Sequence, residues 1–117
     1  MEKGDNTLEE LKNELTEAIK DSEEYKEYIR LGTIISRNPD LRRTVDEFRK
    51  RTFEVVNNED IEDVYSAMLN LNVEYADMRR QDIVNRYLTA EICFCSLVKD
   101  VIKTIADSID MELDFLK

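Results

Sequence analysis

Apolar residues recur at alternating steps of three and four along almost the whole chain, the spacing that gathers them on one face of an α-helix. The first run, Leu8, Leu11, Leu15, Ala18, Ser22, Tyr25, Ile29 and Gly32, reads as a heptad-like seam. Asp21 and Ser22 sit in its middle and are good N-cap residues, with Glu24 three positions after Asp21 in capping-box register, so a break or bend is expected there. Gly32 falls on the seam, where a missing side chain lets another helix come close at a cost of about 1 kcal/mol relative to alanine. Asn38-Pro39 predicts a new helix starting at Pro39, because proline suits the first turn and pushes its predecessor out of helical angles. That helix carries Leu41, Val45, Phe48, Thr52, Val55 and Val56 on one face and is expected to stop in a left-handed turn at Asn57-Asn58. Asp60 is the expected cap of the next helix, which shows Ile61, Val64, Tyr65, Met68, Leu69, Asn72, Tyr75 and Ala76 at the same period before a polar patch from Asp77 to Asp82.

The last predicted helix, Ile83 to Ile109, is the longest apolar one. Its stripe of Val84, Tyr87, Leu88, Ile92, Cys95, Val98, Val101, Ile102, Ile105 and Ile109 is widened by Phe94 and Leu97. At about 1.5 Å per residue it extends roughly 40 Å, more than the width of a small domain. Either the domain is elongated or part of this helix packs on a second subunit, which makes Leu88, Ile92, Cys95, Val98, Ile102 and Ile105 candidate oligomer-interface residues. The fold expected is all-α, an elongated bundle of about five antiparallel helices with a long C-terminal helix, forming a single helical domain over residues 1–117.

Composition supports the helical reading. With two glycines and one proline, the chain lacks the residues that tight turns, hairpins and phosphate-cradling loops draw on, so sheet-rich folds are disfavoured. The 42% apolar and 38% charged residues suit amphipathic helices with a core, not a solvated tail. There is no histidine, which excludes Ser-His-Asp triads, Cys-His pairs and Glu-x-x-His di-iron sites. No apolar leader follows Met1, and the longest uncharged run, Val64 to Val73, is about half of the roughly 20 residues that span a bilayer, so a cytoplasmic protein without membrane insertion is expected.

The formal charge of −10 is unevenly spread: both flanks are acidic, and only the stretch from Arg37 to Asn57 is net basic. Its Arg42, Arg43, Arg49 and Arg51 are candidate partner-binding residues; the competing reading pairs them with neighbouring acidic helices. Cys93 and Cys95 do not make a disulfide framework. On a helix, positions two apart point roughly 200° from each other, and zinc or iron-sulfur sites need about four ligands, so both are read as small buried apolar residues with Cys95 on the main stripe. Carboxylate pairs such as Glu59 with Asp63, or Asp107 with Asp110, are read as solvated faces. Glu91, close to the apolar stripe, is a candidate for pairing across an interface with Arg86 or Arg30. The five tyrosines, Tyr25, Tyr28, Tyr65, Tyr75 and Tyr87, are expected to supply aromatic bodies to helix contacts.

Three stretches, LTEAIKDSEEYKEY at Leu15 to Tyr28, NPDLRRTVDEF at Asn38 to Phe48 and NRYLTAE at Asn85 to Glu91, in this order and separation, resemble the YlbF/YmcA family of small helical bacterial regulators. The likeness extends over roughly residues 8 to 109. It implies an all-helical cytoplasmic protein that acts through protein partners; the lack of a catalytic constellation in the residues adds the expectation that it is non-enzymatic and without a cofactor. Members of that family are linked to competence, sporulation and biofilm control, and some join a complex that modulates the endonuclease RNase Y. Some of those also carry cysteines that take part in iron-sulfur clusters; here the segment from Met111 to Lys117 has no cysteine, and Cys93 and Cys95 lie inside the last helix. The leading reading is a regulator or adaptor, a homo-oligomer and most simply a dimer. The alternatives are an iron-sulfur or redox sensor with Cys93 and Cys95 shared between subunits, and an RNA-binding accessory protein using the Arg42 to Arg51 face.

Overall fold

Thr7 and Ser22 begin the first two helices in the same way, each accepting a backbone N–H from three residues on: Thr7 from Glu10 at 3.4 Å and Ser22 from Tyr25 at 3.2 Å. In the computed structural model, which describes residues 7–58, 60 and 62–109, these caps open α1 (Leu8–Lys20) and α2 (Glu23–Ser36). Then follow α3 (Pro39–Asn57), α4 (Val64–Glu74), the single-turn α5 (Ala76–Arg79) and α6 (Asp82–Ile109). The protein is all-α, with no strand among the described residues and the long C-terminal helix in place.

Several local expectations change in detail. The bend at Asp21-Ser22 is present, but Asp21 is the C-cap of α1, with φ −85° and ψ −6°, and its N–H bonds back to the α1 carbonyls. The cap of α2 is therefore Ser22. Asn58 is extended (φ −93°, ψ 108°), so α3 ends without a left-handed residue. Asp63, not Asp60, caps α4: it accepts the Ser66 N–H at 3.0 Å and the Ser66 hydroxyl at 2.7 Å, whereas the Asp60 N–H is tied to the Asn58 side chain at 2.9 Å. The readings that involve Glu59, Ile61, Asp110 and the segment from Met111 to Lys117 fall outside the described residues. A sixth helix arises because the chain turns at Tyr75 (φ −103°, ψ 22°), which separates α4 from α5.

The chain divides into two compact units, one of Met1–Tyr28 with Ala90–Lys117 and one of Ile29–Thr89, so α2 and α6 contribute to both. The second unit holds most of the core. Leu31 and Ile35 of α2, Val45 and Phe48 of α3, Leu71 of α4, Tyr75, Met78 of α5, and Val84 and Tyr87 of α6 are all buried. Each large side chain of this kind contributes roughly 1.5–3 kcal/mol. Phe48 meets Tyr75 edge-on, with ring centroids 5.3 Å apart at 67°. In the first unit Phe94 is the aromatic anchor, 5.2 Å from Tyr25 and stacked on Tyr28 at 5.8 Å. Ala90 is the buried residue of that unit among the described positions, and α1 has none.

Candidate functional site

The basic helix α3 forms because Pro39 pre-sets the first turn and Asn38 accepts the Leu41 N–H at 3.2 Å. Arg42, Asp46 and Arg49 then fall at steps of four and three, on one side of the helix. Asp46 serves both cations: Arg42 Nε donates to Oδ2 and Arg49 Nη1 to Oδ1, each at 3.0 Å. Both guanidinium groups also lie against Tyr87 of α6, 5.4 and 5.3 Å from its ring centroid, and the ring is only 2% exposed. Arg42 reaches further, donating to the Gly32 carbonyl at 3.3 Å. A β-carbon at Gly32 would stand 3.1 Å from Tyr87 and 3.3 Å from the Arg42 guanidinium, so the glycine on the seam is what admits both groups.

Arg51, two residues beyond Arg49 and so on another side of α3, is engaged separately. It pairs with Glu74 and donates to the Tyr75 hydroxyl at 3.2 Å, and that hydroxyl donates in turn to Glu47 at 2.6 Å. Glu74 and then Tyr75 hold the Arg51 guanidinium protonated more firmly than in a free arginine. Tyr75 is pushed above the ordinary phenol range, chiefly because its proton is held by Glu47, with Arg51 opposing. Arg79, which the sequence left in a polar patch, bonds Asn72 at 2.7 Å and Asn85 at 3.0 Å while lying over Phe48. Asn85 returns a bond to the Arg79 carbonyl at 2.6 Å, so α4, α5 and the start of α6 are clasped together. Arg43 alone of the four candidate arginines stands out into solvent, 72% exposed and paired with Asp40 at 3.1 Å.

The apolar stripe of α6 turns out to have two parts. Leu88, Phe94, Leu97, Val98 and Val101 are half-buried, while Ile92 (66%), Ile102 (60%), Ile105 and Ile109 are exposed, as are Leu8, Leu11 and Leu15 of α1. Cys93 and Cys95 are free and exposed, which corrects the expectation that they are buried. Among the described residues no three His, Cys, Asp or Glu side chains are grouped to hold a metal. A second exposed apolar surface, on α4, was not legible from periodicity. Tyr65 (74%), Leu69 and Val73 (76%) face outward, whereas Leu71 faces the core. Val64 to Val73 carries no charge, so the phase of its buried face cannot be read from the pattern. That uncharged run is the available signal in the sequence.

The family model described as control of competence regulator ComK, YlbF/YmcA, matches residues 8–110. The chain belongs to the YlbF/YmcA family. A UPF0342 protein from Caldicellulosiruptor bescii is 30% identical over 105 residues, covering 85% of each chain. No solved structure matches significantly. The YlbF/YmcA match runs across α1 to α6, including both the arginine-bearing α3 and the exposed faces of α4 and α6. The family description ties its members to regulatory control of competence. Among the described residues of this YlbF/YmcA member, no helix is long and apolar enough to cross a membrane.

Proposed function

We propose that the protein is a non-enzymatic regulator that works by forming protein–protein interfaces, and that it does so as a homodimer joined through α6. The supporting observation is the set of isoleucines exposed along that helix, Ile92, Ile102, Ile105 and Ile109, together with the exposed leucines of α1. Covering one such side chain is worth roughly 1.5–3 kcal/mol, too little alone against an association cost of about 4–15 kcal/mol, but a whole stripe from each copy outweighs it. Leu88, Cys95 and Val98 border these isoleucines on α6 and complete the proposed interface. Arg43 is the arginine of α3 best placed to meet a partner, because Arg42, Arg49 and Arg51 are held within the fold. The finer reading, drawn from the family's regulatory role, is control of competence, with an RNase Y-type assembly as one setting in which such interfaces are used.

Sedimentation equilibrium tests the reading. The wild type should run as a dimer at about micromolar concentration, and Ile102→Asp combined with Ile105→Asp should yield a helical monomer. A monomeric wild type, or a dimer indifferent to both aspartates, would overturn the α6 interface.

A further inference from the structure

The two units of the chain are unequally filled. Among the described residues, nine of the ten buried apolar side chains belong to the Ile29–Thr89 unit, and the tenth, Ala90, gives the other unit a single methyl group. That other unit has the Phe94 ring on Tyr25 and Tyr28, where α2 meets α6. Its α1 buries no residue, and on α6 every described residue after Val101 is exposed. A helix of 13 residues is at the margin of what water supports without tertiary contacts, because so few turns do not offset the cost of nucleation. The Thr7 cap and the solvent-exposed Glu9–Lys12 pair of α1 make up only part of that cost.

What α1 does carry is a stripe of Leu8, Leu11, Leu15 and Ala18 at steps of three, four and three, the steps at which Cys95, Val98, Ile102 and Ile105 follow one another on α6. At 1.5 Å per residue, α1 and residues 95–109 of α6 are each about 20 Å long. The open area suits a second copy as the occupant. Leu8, Leu11, Leu15, Ile102, Ile105 and Ile109 are 39–71% exposed, which leaves on the order of 100 Å² of apolar surface on each. Together they offer about 600 Å² per copy, most of the roughly 800 Å² per partner that a standard interface buries. Neither stripe includes a charged residue, so a twofold pair meets there without opposing like charges, although each chain has a net charge of −10. We infer that the second copy completes this unit: α1 and residues 102–109 of α6 hold their helices in the dimer and lose them in the separated chain, while the Ile29–Thr89 unit stays folded in both. Resting on the α6 dimer proposed above, this coupling makes the order of α1 depend on chain concentration.

Hydrogen exchange of the full chain read by mass spectrometry tests the coupling, with sedimentation of the same samples to report pairing. As the wild type is diluted through its dissociation, the amides of residues 12–19 and 103–109 should lose protection together, at least about tenfold, while those of residues 45–48 change less than about twofold. Each helix is also read with the substitutions on the other. Ile102→Asp with Ile105→Asp should expose the α1 amides, and Leu8→Asp with Leu11→Asp those of residues 103–109. Equal protection of α1 in dimer and monomer, or loss of protection in both units together, would overturn the coupling and leave the α6 dimer standing. A wild type monomeric throughout, or a dimer indifferent to both variants, would overturn both.

Discussion

Gly32 shows how far one residue can be read before packing decides its role. Its position on the seam already suggests a close approach, and the approach is made by the Tyr87 ring and the Arg42 guanidinium. Replacing it with alanine sets two effects against each other. The helix gains about 1 kcal/mol of propensity, while a β-carbon at 3.1 Å crowds a ring that is buried and flanked by two arginines. Overpacking of this kind costs about 1–3 kcal/mol. Gly32→Ala should therefore lower stability by about 1 kcal/mol in urea unfolding, and a gain in stability would show that Tyr87 can move aside. Arg42, Arg49 and Arg51 were visible in the sequence as cations, but not as groups held by Asp46, Tyr87, Glu74 and Tyr75. Those partners lie three to forty-five positions away, and only the packing of α3 against α4 and α6 brings the distant ones close. The cysteines show the reverse. Their two-residue spacing correctly places them on different sides of a helix, but spacing does not say which sides are covered.

At the scale of elements, helix starts were the most legible feature and their register the least. Pro39 and Asn38 act as read, because a proline at the first turn and an asparagine before it leave few alternatives. Between α3 and α4 the sequence offers two aspartates able to cap, Asp60 and Asp63, and the choice of Asp63 depends on Ser66 standing three residues on with both its N–H and its hydroxyl. Those bonds hold the Asp63 carboxyl below its ordinary range. A carboxyl depressed in the folded state stabilises it at pH values above the unfolded pKa, and the contribution is lost as pH falls through the lower folded value. The first turn of α4 should thus open in acid before the rest of the core. Amide exchange at Ser66 and Ala67 should accelerate as pH falls below about 4, after correction for intrinsic rates, and the acceleration should vanish in Asp63→Asn, which keeps a capping oxygen without the titration. Equal acid sensitivity in Asp63→Asn would remove the carboxylate from the account.

For the molecule as a whole, the helical class follows from composition and period together, while the division into two units follows from neither. Periodicity reports that a face is apolar; it does not report whether the same chain covers it. On α3 the face from Val45 to Phe48 is covered, on α4 only the Leu71 side is, and on α6 the half-buried Phe94 and the exposed Ile92 lie two residues apart. The exposed thiols turn this last difference into a measurement. Cys95 sits beside the isoleucine stripe and Cys93 roughly 200° away around the same helix, so the pair forms a built-in two-sided reporter of occupancy. If the copies pair through α6 as proposed, iodoacetamide labelling followed by mass spectrometry should modify Cys93 about tenfold faster than Cys95, and the rates should converge once Ile102→Asp and Ile105→Asp separate the copies. If both thiols react alike in dimer and monomer, the subunits meet somewhere other than the Cys95 side. An unmodified chain would thus carry, on two sides of a single helical turn, a probe that the proposed assembly shields and a reference that it leaves open.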